Sequence, residues 1–152
     1  MIFHFLTRWQ IDAPLKDVWH VLTDSEQWPV RWTAVKKAQV VQLSRLPNGE
    51  GGKIFFSLKG YLPYTIACVT EIVRVALFTL LETNATGDVR GKSVWKLTEE
   101  NEGTLVEYSW NVSLQKPLVS FFSPVLYPFL VHNHNVVMKN GEKGLKKMLE
   151  NK

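Results

Sequence analysis

The stretch VHNHNVVMKNGEKG, residues 131–144, sets two histidines one residue apart among carboxamides, the side-chain types of metal-dependent hydrolysis. On an α-helix each residue turns by about 100°, so His132 and His134 stand about 200° apart and face opposite sides. They cannot share a metal, because a helical zinc pair needs a spacing of about three or four residues and no third ligand is suggested nearby. Acid–base chemistry has few other candidates. Tyr64 and Tyr108 could donate protons, and Glu82 or His132 could act as a base if inward-facing. Asp88 sits at a hairpin tip, where it serves the turn, and Arg90 pairs with solvent or with Asp88. No convergent Ser/His/Asp or Cys/His set is visible. Neither a metal nor a cofactor is expected.

The same helical arithmetic places Phe122, Leu126, Phe129, Asn133, Val137 and Asn140 within a stripe of roughly 80°, with Gly144 at its edge. That stripe predicts a buried face, aromatic at first and then interrupted by two carboxamides. Asn133 and Asn140 must be hydrogen-bonded there, either to neighbouring backbone or to something held in a cavity. Pro124 and Pro128 predict an irregular or kinked beginning to this helix.

The elements that would position these residues follow from period and punctuation. FHFLTRWQI, residues 3–11, alternates with Phe3, Phe5, Trp9 and Ile11 on one face and His4, Arg8 and Gln10 on the other, as a half-buried strand does. Asp12-Ala13-Pro14 starts a helix with Leu15, Val18, Trp19 and Leu22 on one side, and WPVRW, residues 28–32, forms a turn or short second helix. From Ala34 to Val112 the chain reads as about six strands with short turns, which pair antiparallel, and LPNGEGG carries the signals of a tight hairpin. From Pro117 to about Leu149 the period is helical. The fold class is α+β, a curved antiparallel sheet wrapped around a long C-terminal α-helix.

A chain of 152 residues fits one domain spanning 1–152. Six Trp, eight Phe and four Tyr exceed what a small core needs, and such side chains commonly line ligand pockets. The net charge of +4 comes from scattered Lys and Arg, which argues against a nucleic-acid surface and reads as solvated faces. A single cysteine, Cys68, makes no case for an oxidising compartment. The N-terminus lacks the parts of a signal peptide, and residues 118–131 are too short and too proline-rich to span a bilayer. A cytoplasmic protein without stable membrane insertion is expected.

Eight pieces in order resemble the START-like superfamily, also called SRPBCC, and within it the polyketide cyclase/dehydrase group. They are W-x-I-D-A-P at Trp9–Pro14, V-W at Val18 and Trp19, W-P-x-x-W at Trp28–Trp32, G-x-L-P-Y at Gly60–Tyr64 and G-D-x-x-G at Gly87–Gly91, then W-x-V at Trp110–Val112, K-P at Lys116 and Pro117, and N-H-x-x-x-M-x-x-G-E-x-G-L at Asn133–Leu145. The family pattern has Trp and Asp flanking Asn-His, where this chain has His132 and Asn135. The resemblance implies the helix-grip fold of the major birch-pollen allergen, with six or seven strands and a deep apolar cavity.

The function expected from residues and resemblance together is binding of a hydrophobic small molecule, lipid-, sterol- or polyketide-like, between sheet and helix. Phe5, Trp9, Tyr64, Ile66, Trp95, Tyr108, Trp110, Phe122, Phe129 and Asn133 are the expected ligand-binding residues, each of which could equally be core. The alternatives are a cyclase or dehydratase using the same cavity, and a protein-interaction module with Trp28 and Trp32 as its exposed face.

Overall fold

The computed structural model describes residues 2–59, 65–115 and 117–150. Strand β1 (Ile2–Ile11) leads into α1 (Leu15–Thr23), a 3-10 turn (Ser25–Gln27) and α2 (Trp28–Arg31). Six strands follow, β2 (Val35–Gln42), β3 (Lys53–Leu58), β4 (Ile66–Ala76), β5 (Leu80–Gly87), β6 (Val89–Glu100) and β7 (Gly103–Leu114), and then the long helix α3 (Pro117–Leu149).

Every strand pair is antiparallel, and the sheet order is β1-β7-β6-β5-β4-β3-β2. Sequence neighbours are therefore sheet neighbours, except that β1 and β2 occupy opposite edges. The two short helices carry the chain from one edge to the other. Pro14 caps α1 from an extended conformation, so the proline precedes the first turn instead of lying within it. Val18, Trp19 and Leu22 bury one face of α1, as their spacing predicts.

Alternation decides the inner face. Phe3, Trp9 and Ile11 on β1, Leu81, Thr83 and Ala85 on β5, and Ser93, Trp95 and Leu97 on β6 are buried, while Leu6 and Arg8 on β1 and Lys96 on β6 are exposed. Glu82 falls on the outer face, paired with Arg74 at 3.8 Å and Lys92 at 3.7 Å, which removes it as an internal base.

Three local expectations need correction. The LPNGEGG stretch belongs to a loop over residues 43–52, not to a tight hairpin, and this loop folds back on β4. Gly51 N–H donates to Ile72 O, Ile72 N–H to Gly52 O, and Val75 N–H to the Glu50 carboxylate. Secondly, α3 does not begin irregularly, since it runs as one helix through Pro124 and Pro128. Thirdly, the buried stripe of α3 runs through Leu130, His134, Met138, Gly141, Leu145 and Leu149, one residue later than the stripe read from hydropathy. Phe129 is 56% exposed. The shift of one residue turns the buried face by about 100° and brings His134, not Phe129, against the sheet.

Gly141 allows that approach. A Cβ there would lie 2.7 Å from the Trp32 ring, and the Trp32 indole N–H donates to Val137 O at 2.7 Å. The helices α3 and α2 are thus clamped where a side chain cannot fit. Among the described residues no helix is long and apolar enough to cross a membrane.

Candidate functional site

Sheet, α1, α2 and α3 line a partly open cavity of about 400 Å³. Its walls carry Trp19, Trp28, Trp32, Phe56, Trp95, Tyr108 and Trp110 as aromatic surface, and Pro47, Asn48, Gly49 and Leu77 border it from the loop and the β4–β5 turn. A side recess of about 70 Å³ lies beyond Trp110, Leu58, His134 and Val137, which border both spaces.

Cross-strand pairing explains where the few polar groups stand. Thr83 faces Ser93, Ser93 faces Trp110, and Trp110 faces Phe5, so one row across the inner sheet runs hydroxyl, hydroxyl, indole, phenyl. Thr83 and Ser93 hydrogen-bond each other, which satisfies two hydroxyls in an apolar wall. Tyr108 stacks on Trp95 with ring centroids 4.0 Å apart. Burial pushes its phenol well above the usual range, a hydrogen bond with Ser93 opposes that, and the nearby Cys68 adds to it. Cys68 is likewise pushed up to about 11, by burial and then by the charge of Asp88. Neither group ionises near neutral pH, so neither supplies a ready nucleophile.

His134 is the unexpected member. Its ring stacks on Phe5 at 3.8 Å and on Trp110 at 5.3 Å, it is 7% exposed, and burial pulls its pKa down to about 4. Near neutral pH the imidazole is uncharged, and Nε2 has no hydrogen-bond partner among the described residues.

The expected site residues divide accordingly. Trp95, Tyr108 and Trp110 line the main cavity; Phe5, Ile66 and Asn133 line the side recess. Trp9 is packed between Trp32 and Trp95, beside a gap of only about 30 Å³, and belongs to the core. Phe129 points outward. Tyr64 and the side chain of Phe122 lie outside the described residues. Trp28 and Trp32 are turned inward, with the Trp28 indole N–H donating to Leu22 O, so they do not form an exposed face for a partner. His132 is exposed and cannot serve as an internal base. Asp88 braces the β5–β6 corner by accepting from Ala67 N–H. Among the described residues no group of three His, Cys, Asp or Glu side chains could hold a metal ion.

Sequence reasoning missed Thr83, Ser93 and His134. The first two sit on an inward phase that alternation with Leu81 and Trp95 could have shown; His134 was hidden by counting imidazole as polar.

The model of the polyketide cyclase/dehydrase and lipid transport family matches residues 3–150. The chain belongs to that family. No curated protein matches the sequence. Among solved structures, TTHA0849 from Thermus thermophilus superposes with a TM-score of 0.80 at 18% identity over 95% of each chain. A START superfamily protein from Mycobacterium smegmatis gives 0.68 at 11% identity over 99% of this chain and 97% of its own. The di-domain ARO/CYC BexL from the BE-7585A biosynthetic pathway gives 0.76 at 17% identity, with 98% of this chain covering 50% of that one. At these identities the likeness is one of fold, the START-like helix grip.

Proposed function

We propose that the chain binds a hydrophobic small molecule, of lipid, sterol or polyketide type, in the cavity between sheet and α3. The observation that supports this most is the cavity itself, about 400 Å³ of space walled mainly by aromatic and aliphatic side chains, in the range of small-molecule sites. Interiors are otherwise packed with few voids larger than a water molecule, so the space calls for an occupant. The family membership and the ARO/CYC designation of the BexL structure point the same way.

A second reading, a cyclase or dehydratase acting in the same cavity, draws on His134 and Tyr108, two proton-exchanging side chains on its wall. Simple binding is preferred, because the hydroxyls of Thr83 and Ser93 bond each other, and a lone imidazole has no orienting partner at Nε2 among the described residues.

Native mass spectrometry of gently purified protein, followed by denaturing extraction, tests the proposal. A bound hydrophobic molecule released on denaturation is expected. Protein that is wholly free of ligand, and takes up none from a lipid extract, counts against it.

A further inference from the structure

A buried nitrogen without a partner is costly, and native proteins leave few such groups. Among the described residues His134 Nε2 is one, on a side chain belonging to a residue only 7% exposed. The ring is stacked against Phe5 and Trp110, which leaves its edge to find a partner. The spaces that border the side chain are the main cavity and the side recess. A molecule held in either space would bring a partner within reach of the ring edge. Three polar groups of the wall do not compete for it, since Thr83 and Ser93 already pair and Tyr108 has Ser93 beside it.

We propose that His134 is the polar anchor of the cavity, exchanging a hydrogen bond through Nε2 with a hydroxyl group on an otherwise apolar ligand. A hydroxyl suits the site because it both donates and accepts, and so satisfies either tautomer of the ring. A carboxylate would enter a wall that carries no Lys or Arg among the described residues and would lose its hydration without compensation from them. The inference rests on the proposal that the cavity holds a ligand, and adds which group of that ligand is read, and by which residue.

A matched pair of planar probes tests it, 2-naphthol and 2-methylnaphthalene, which differ by a hydroxyl in place of a methyl. Wild-type protein is expected to bind 2-naphthol on the order of tenfold more tightly, and His134→Phe, which keeps the stacked ring and removes the nitrogens, is expected to abolish the preference while still binding 2-methylnaphthalene. Long-range 1H–15N spectra of the wild-type imidazole give a second readout that needs no variant. The Nε2 resonance is expected to move with 2-naphthol and not with 2-methylnaphthalene. Equal affinity for the pair, a preference that survives in His134→Phe, or the same Nε2 response to both probes overturns the anchor and leaves the cavity proposal standing. Failure of both probes to bind either protein overturns the cavity proposal and the anchor with it.

Discussion

The imidazole of His134 lies on the phenyl ring of Phe5, centroids 3.8 Å apart and planes inclined by 20°. One ring comes from the middle of α3 and the other from the edge strand β1, and Trp110 of β7 extends the stack at 5.3 Å from the imidazole. This is where the helix is registered on the sheet at the cavity wall. Titration of His134 therefore reports on both stability and site.

The folded-state pKa of about 4 lies below the 6.5 of a free histidine, so the unfolded chain takes up the proton first as pH falls. The stability tied to the neutral ring is fully present above pH 6.5 and is lost progressively towards pH 4, by about 3 kcal/mol. Urea unfolding of wild type and His134→Phe between pH 7 and 4 checks this. The stability difference between the two should shift by that amount across the window, the variant losing less.

Gly141→Ala should destabilise the protein by about 1–3 kcal/mol, although alanine is the better helix former by about 1 kcal/mol. The added methyl would meet the Trp32 ring at 2.7 Å, and that ring is fixed by its bond to Val137 O. Thermal unfolding measures the net sign, and an increase in Tm would show that Trp32 yields.

Trp9→Ala should cost about 3–5 kcal/mol, because Trp9 is 3% exposed and packed on Trp32 and Trp95. Phe129→Ala should change stability by less than about 0.5 kcal/mol, because its ring is 56% exposed. Urea midpoints of the two single variants distinguish the core from the outer side of α3, and a large loss in Phe129→Ala would reverse the helix phase.

That phase is also where sequence reading met its limit. Strands such as Phe3–Ile11 and Val106–Val112 were legible because a period of two with one wet face leaves a plain pattern, and the turn at Gly87-Asp88 and the helix start at Pro14 were marked by residues with few other uses. In α3 apolar side chains occur on every side, including Phe129, Leu130, Val131, Val136 and Val137, so hydropathy alone could not choose between two faces one residue apart. An uncharged imidazole acting as an aromatic ring, and a glycine that lets Trp32 in, decide between them. The loop 43–52 escapes local reading for a related reason. Its Asn-Gly and Gly-Gly pairs do make local turn bonds, such as Gly49 N–H to Leu46 O, but Gly51, Gly52 and the Glu50 carboxylate also bond β4, a partner that local sequence does not name.

If the space between sheet and α3 is where a ligand sits, filling that space must abolish binding. Ala85 is buried on the inner face of β5 and lines the cavity, so Ala85→Phe places a ring in the space while changing stability by less than about 1–3 kcal/mol, the cost of overpacking a filled core. Equilibrium dialysis of wild type and variant against 2-methylnaphthalene should give saturable binding of one molecule per chain for the wild type and none for the folded variant. Equal uptake by both proteins would place the ligand elsewhere and refute the cavity as its site.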